Sequence, residues 1–211
     1  VESVAVMGVD EWGELPFFLN QTGELYFADL PRDLKTRAYQ RGASNGEAQL
    51  TLGPRGLFEV PTELPKKEWN SFYYDAYLGE IALGADDGQV ALLHIDYRAE
   101  FQEDDSRSIV PEVEVEILGD FARSSAPIQD LAFYESTTDR TIGVLQRGDN
   151  RTEISLQTYA VKSSLFGAAT MKADARIRPE ADLIDERPER ILIGGRGDRI
   201  FVTAAGGWLY Y

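Results

Sequence analysis

Four times along the chain, apolar runs of strand length flank a turn that is rich in glycine, aspartate or asparagine. In the second repeat, residues 81–83 and 90–95 flank the turn Asp86-Asp87-Gly88. Such turns tolerate the positive φ that tight antiparallel hairpins require. The flanking Val, Ile, Phe and Tyr residues suit pleated, buried strands. The pattern therefore predicts hairpin turns at four places, residues 21–23, 86–88, 148–150 and 206–207.

The repeats have the length and strand content of β-propeller blades with inserted loops. Their turn markers Gly23, Gly88, Asn150 and Gly207 lie about 60 residues apart, longer than the roughly 40–45 residues of a minimal blade. A leading strand is predicted before each of the later three repeats, at residues 57–60, 113–118 and 173–177. We therefore expect an all-β fold, a single β-propeller or partial β-propeller segment with about four blades of antiparallel strands. The expected units are residues 1–45, 50–100, 111–162 and 170–211.

The net charge of the chain limits the classes of partner that it is expected to bind. Its 211 residues include 21 Lys and Arg against 36 Asp and Glu, for a net charge of −15. A field of this sign repels polyanions, so no nucleic-acid partner is expected and anionic lipid surfaces are disfavoured. The absence of cysteine excludes disulfides, thiolate metal sites and cysteine nucleophiles. No apolar run approaches the roughly 18–20 residues of a membrane helix.

The two ends of the sequence suggest a fragment of a larger protein. The chain begins at Val1, and residues 208–211 stop within an apolar strand pattern. If the parent protein holds more than four units, the end units expose apolar faces, which we expect to be lined by Phe17, Leu19, Ile193 and Phe201. Self-association of the fragment, or closure into a small ring, is the expected consequence.

The only histidine is the first candidate for catalysis. By strand alternation, His94 shares a face with Val90, Leu92 and Asp96. No G-x-S-x-G sequence accompanies it. We interpret His94 as a histidine packed within a strand.

Carboxylates are the second group of candidates. Glu112, Glu114 and Glu116 alternate with apolar residues, which predicts a solvent-facing edge strand. The acidic run 103–105 lacks the spaced ligands and the glycine of a calcium loop, so we interpret it as a solvated loop.

Several short motifs fall in predicted turns. Arg-Gly-Asp occurs at residues 147–149 and 196–198, and the glycosylation pattern Asn-x-Thr begins at Asn20 and Asn150. Turn chemistry explains these residues. Residues 194–197 lack the lysine of a phosphate-binding loop. We therefore predict no catalytic, cofactor-binding or metal-binding residues and no cofactor.

Residues 81–98 (IALGADDGQVALLHIDYR) and 106–113 (SRSIVPEV) carry a resemblance to a known family. They resemble the large extracytoplasmic insert of long proteobacterial phosphate ABC transporter permeases. In that family a WD40-like propeller follows the first membrane helix and precedes the permease helices. Residues 4–30 and 189–211 fit the same architecture, so the similarity spans nearly the whole chain.

The resemblance implies a non-enzymatic accessory domain on the periplasmic side of the bacterial inner membrane. Expected partners are other transporter components or the periplasmic phosphate-binding protein. A domain with a charge of −15 repels phosphate, which favours protein interaction or regulation of phosphate import over direct phosphate capture. The alternative is a stand-alone propeller hydrolase that uses paired carboxylates in its central channel.

Overall fold

A computed structural model describes most of the chain. It covers residues 3–30, 52–103, 107–118, 127–135, 139–147, 152–160, 175–177, 188–194, 199–204 and 207–210. In these ranges the chain forms strands and turns without any helix, so none of the described segments is a helix that could span a membrane. The strands are β1 (Val4–Val9), β2 (Pro16–Asn20), β3 (Leu25–Ala28), β4 (Leu57–Val60), β5 (Trp69–Asp75), β6 (Glu80–Ala85), β7 (Val90–Phe101), β8 (Arg107–Leu118), β9 (Ile128–Glu135), β10 (Asp139–Arg147), β11 (Thr152–Ala160), β12 (Ala175–Ile177), β13 (Pro188–Ile193), β14 (Ile200–Ala204) and β15 (Gly207–Tyr210).

These strands build four sheets in chain order. Sheet 1 has the order β1-β2-β3-β4, sheet 2 the order β5-β6-β7-β8, and sheet 3 the order β12-β11-β10-β9. Sheet 4 holds β13-β14-β15 among the described residues. Each strand pairs with its neighbour in the chain, as in an antiparallel meander. The expectation of an all-β fold with four antiparallel sheets is confirmed for the described residues.

Two predicted hairpin turns are confirmed by their backbone geometry. Gly23 has a φ of 85° and Gly88 a φ of 82°, which favours glycine at both positions. Each glycine amide donates to a carbonyl three residues earlier, that of Asn20 at 3.2 Å and that of Ala85 at 3.0 Å. The predicted turn 148–150 lies outside the described residues. The fourth turn was predicted at residues 206–207, and its position was wrong by one residue. Gly207 is already part of the β14–β15 ladder, where it pairs with Ala204.

The predicted leading strands were assigned to the wrong repeats. β4 pairs with β3, β8 is the last strand of sheet 2, and β12 pairs with β11. Each of them therefore completes the sheet before it. In sheet 1 the reason is visible in the aromatic packing, because Phe58 stacks on its cross-strand partner Phe27 with ring centroids 5.9 Å apart.

The chain divides into two compact units. Unit 1 comprises Val1–Lys66 and His94–Glu114, and unit 2 comprises Lys67–Leu93 and Val115–Tyr211. In unit 1 the inward side of sheet 1 is filled by large buried side chains. Phe27 lies at its centre, with ring centroids 6.3 Å from Phe17 and 6.4 Å from Tyr97.

Unit 2 contains two consecutive face-to-face contacts between sheets. The first cluster joins sheets 2 and 3 and contains Ala82, Val90, Leu92, Leu118, Ile128, Leu131, Phe133, Ile142 and Val144. The second joins sheets 3 and 4 and contains Ala132, Leu145, Ile191, Ile200 and Val202. The strands β9 and β10 of sheet 3 therefore bury side chains on both faces, one against sheet 2 and one against sheet 4. The first strand of sheet 3, β9, contacts the first strands of the other two sheets, β5 and β13.

Candidate interaction surfaces

His94 lies in β7 and is half-buried. Val90 and Leu92, which precede it on the same strand face, are buried, whereas Asp96 beyond it is exposed. The Nδ1 atom of its ring is inaccessible to solvent. The position agrees with the prediction of a histidine packed within a strand.

Several aspartates organise the turns in which they lie. Asp10 is buried, and its carboxylate accepts hydrogen bonds from the amides of Trp12 at 3.0 Å and Glu14 at 2.7 Å. Asp75 accepts from the amide of Tyr77 at 2.9 Å. These carboxylates therefore serve as acceptors for backbone donors that the strands cannot satisfy.

Asn20 is likewise a turn residue, as predicted. Its side chain is buried, and its Nδ2 donates to Glu24 Oε2 at 2.7 Å. Its Oδ1 accepts from the amides of Thr22 at 3.0 Å and Glu24 at 2.9 Å. The Asn20 amide nitrogen is thus enclosed in the turn rather than presented to solvent. Asn150 and parts of both Arg-Gly-Asp motifs, residues 148–149 and 196–198, lie outside the described residues.

Asp130 is a described carboxylate whose pKa is shifted by its environment. It lies on β9, and its Oδ2 accepts a hydrogen bond from the amide of Ile191 on β13 at 2.8 Å. Burial raises the pKa of Asp130, and this outweighs the opposing effects of that hydrogen bond and of the positive charge of Arg190. Sequence reasoning missed this residue, because its role depends on Ile191, which lies 61 residues further along the chain. Its contact joins two sheets and is therefore structural.

We call Glu112, Glu114 and Glu116 the acidic edge. All three are exposed on β8, the last strand in the order of sheet 2. Arg98 Nε lies 3.2 Å from Glu112 Oε1, and Glu114 and Glu116 form no ion pair with any other described residue. The prediction of a solvent-facing edge strand is confirmed. In the acidic run 103–105, Glu103 is exposed and the other two residues lie outside the described ranges.

The side of sheet 1 that faces away from Phe27 is apolar and partly exposed, and we call it the open face. Met7 is 67% exposed, Val9 50% and Leu57 49%, and Phe18 and Tyr26 are half-buried beside them. The prediction placed Phe17 and Leu19 on this surface, and that was wrong. Both are buried, because the cross-strand pairs Phe17↔Phe27 and Leu19↔Leu25 lie on the inward side.

Sheet 4 has a second surface of this kind, on the side away from sheet 3. We call it the outer face, and it carries Arg190, Leu192, Phe201 and Thr203. Leu192 is 41% exposed and Phe201 is half-buried, so the predicted exposure of Phe201 is only partial. Ile193 does not, because it packs against the cluster between sheets 3 and 4.

Within the part of the chain that the structure describes, no group of three or more histidine and carboxylate side chains is arranged to hold a metal ion. No model of a known protein family matches the chain, and no curated protein matches it.

Proposed function

We propose that this chain is a non-enzymatic β-propeller region on the periplasmic side of a phosphate ABC transporter permease, where it binds a protein partner. The observation that carries the binding role is the acidic edge. It provides three exposed carboxylates at alternate positions of a strand 12 residues long. The transporter assignment follows from the resemblance of residues 81–98 and 106–113.

The arrangement of unit 2 supports a propeller. Propeller blades are four-stranded antiparallel sheets that follow one another around a central channel. Sheets 2 and 3 have four strands each, and sheets 2, 3 and 4 stack face to face in chain order. Contacts among the first strands β5, β9 and β13 are those expected of innermost blade strands.

The charge distribution supports a protein partner with a basic surface. The net charge of −15 raises the local concentration of cationic groups and repels phosphate. Because Glu114 and Glu116 are exposed, they can pair with Lys or Arg of a partner without losing bonds within the described part of this chain. Exposed charges of this kind contribute mainly to association rate and specificity.

The structural roles of three described aspartates favour binding over hydrolysis at these positions. A glycosidase-type mechanism needs two carboxyl groups that face one substrate. Asp10 and Asp75 are instead committed to backbone donors of their own turns. Asp130 is committed to the junction between two sheets.

Biolayer interferometry can test the proposal with the 211-residue chain immobilised. The analytes are the purified phosphate-binding protein and the remaining transporter components in lipid nanodiscs. We expect saturable binding to one of them that weakens as NaCl rises from about 50 to about 500 mM, because exposed charges are screened. We expect no heat of binding from orthophosphate in calorimetry.

A matched pair of variants locates the surface. The triple variant Glu112→Gln, Glu114→Gln, Glu116→Gln should weaken binding about tenfold, roughly 1.4 kcal/mol. The control triple Glu63→Gln, Glu68→Gln, Glu103→Gln removes the same charge from other exposed positions and should bind like the wild type. Equal weakening by both triples would refute the acidic edge as the binding surface. Binding to no component, or stoichiometric binding of orthophosphate, would refute the proposed function.

A further inference from the structure

We infer that β8 accepts an extended, basic segment of a partner protein as an additional antiparallel strand of sheet 2. This binding mode deepens the proposed function, on which it rests for the location of the surface at the acidic edge. It adds how the partner binds and which sequence pattern the bound segment carries. In strand addition, backbone hydrogen bonds supply the affinity, and side chains at alternate positions supply the specificity.

β8 is a long strand at the end of the order of sheet 2. It comprises 12 residues, Arg107–Leu118, and no described strand lies beyond it in that sheet. Strands of globular proteins most often have about 5–6 residues, so β8 is about twice as long as usual. An edge strand presents a row of unpaired backbone N–H and C=O groups, which form a template for pairing with another chain. The length of β8 therefore offers several such groups in a row.

Pro111 shows which backbone groups of β8 point away from β7. Proline has no N–H, and within sheets it is accommodated where that group would face away from the neighbouring strand. Backbone groups of alternate residues point the same way. Val113, Val115 and Ile117 therefore direct their N–H and C=O groups outward, and we call these groups the rim. The side chains of the same residues are half-buried or, for Ile117, 37% exposed, on the side of β8 opposite to the acidic edge.

An antiparallel strand bound to the rim has two kinds of position. Its residues opposite Val113, Val115 and Ile117 exchange hydrogen bonds with the rim. Its residues opposite the acidic edge form the non-hydrogen-bonded pairs, in which the side chains of the two strands lie closer together. Directly opposite residues place their side chains on the same side of the sheet. The matching segment therefore carries Lys or Arg opposite each glutamate, with Val, Ile or Thr between them.

The charges around the acidic edge favour a basic segment over a second copy of this chain. Arg98 of β7 lies 2.8 Å from Glu100 and 3.2 Å from Glu112, and the exposed Asp96 lies on the same side of β7 by alternation. Among the described residues of β7 and β8 on this side, one guanidinium therefore accompanies five carboxylates, those of Asp96, Glu100, Glu112, Glu114 and Glu116. Like charges directly opposite one another destabilise a strand pair, whereas opposite charges stabilise it. A second β8 would bring glutamates against glutamates, and a basic segment would form ion pairs.

Fluorescence anisotropy of the labelled synthetic peptide Lys-Val-Lys-Val-Lys-Val-Lys can test this mode with the 211-residue chain. In the inferred register, the valine N–H groups of the peptide donate to the rim and its lysine N–H groups point to solvent. N-methylation of the valines should therefore weaken binding at least about tenfold relative to the parent peptide. N-methylation of an equal number of lysines should leave the affinity within about twofold of the parent. The two methylated peptides have the same composition and charge, so their comparison isolates the backbone hydrogen bonds.

The variants of the acidic edge locate the peptide on the chain. The triple variant Glu112→Gln, Glu114→Gln, Glu116→Gln should bind the parent peptide about tenfold more weakly than the wild type. The control triple Glu63→Gln, Glu68→Gln, Glu103→Gln should bind it like the wild type, because these exposed residues lie outside β8. Equal weakening by both triples would overturn the location of the added strand.

The two methylated peptides decide the binding mode. Equal binding of both overturns strand addition, because charge alone would then hold the segment. Failure of the parent peptide to bind at up to about 1 mM overturns it as well. Neither result changes the interferometry with the transporter components, which tests the proposed function separately. If valine methylation alone weakens binding while no transporter component binds, strand addition at β8 is supported and the transporter assignment is refuted.

Discussion

Replacement of Asp130 by alanine should weaken the junction between sheets 3 and 4. The Asp130 carboxylate is the acceptor for the amide of Ile191, a residue that is fully buried. Without it, a buried N–H group loses its partner, which costs about 1–3 kcal/mol of the free energy of unfolding. We therefore expect Asp130→Ala to lower stability by that amount at neutral pH.

Asp130→Asn should behave differently, because it keeps an acceptor oxygen and removes the charge. Burial raises the pKa of Asp130 above its ordinary value of 3.8. The folded chain thus binds this proton more tightly than the unfolded chain does. The stability that the group contributes is complete below pH 3.8 and is lost as pH rises through the raised pKa. At neutral pH, Asp130→Asn should be as stable as the wild type or more stable, and the difference should shrink as the solution is acidified.

Urea unfolding followed by tryptophan fluorescence can measure both effects, since Trp69 in unit 2 is fully buried. The series would be run at neutral pH and at about pH 4. Glu189→Gln, at an exposed position of β13, controls for loss of a negative charge and should leave the midpoint unchanged. If Asp130→Asn were destabilised as much as Asp130→Ala at neutral pH, the carboxylate charge rather than the hydrogen bond would stabilise the junction, and the reasoning would be refuted.

Three further predictions concern packing, charge and a turn. Gly84→Ala places a Cβ into the side chain of Ile128 and should cost about 1–3 kcal/mol in urea unfolding; an unchanged midpoint would contradict that close packing. The Lys67 hydrogen bond lowers the pKa of Asp87, so its stabilisation is present above pH 3.8 and is lost as pH falls through the lowered pKa. Lys67→Met should therefore lower thermal stability at neutral pH by at most about 1 kcal/mol, because the pair is largely exposed. If the difference from the wild type persisted at about pH 2, the ion pair would not be its cause. Asn20→Ala removes the acceptor of two turn amides and should cost about 1–3 kcal/mol, measured as a lower melting temperature; a wild-type melting curve would show that the turn forms without it.

The hairpin turns could be predicted because their determinants are local. A tight turn with positive φ needs glycine at one position, and the sequence displays Gly23 and Gly88 between two apolar runs. The acidic edge was predictable for the same reason, since alternation over six residues reveals an exposed strand face.

The sheet to which a strand belongs is not local information. The sequence of residues 57–60 is compatible with the end of one repeat and with the start of the next. The pairing of these residues with β3 places them in sheet 1. The sequence also could not show which residues form the open face. Phe17 and Phe18 are adjacent and chemically identical, so the sequence does not show which one points inward. The pairing of Phe17 with Phe27 decides it, and a shift by one residue exchanges the two sides of a strand.

The long connection within sheet 1 bears on how the chain folds during synthesis. β2 and β3 are joined by residues 21–24, whereas β3 and β4 are joined by residues 29–56. β4 therefore leaves the ribosome well after the β1–β3 meander is complete. During that interval β3 presents an unpaired edge, so the nascent chain is most exposed to wrong strand pairing before residue 57 is translated.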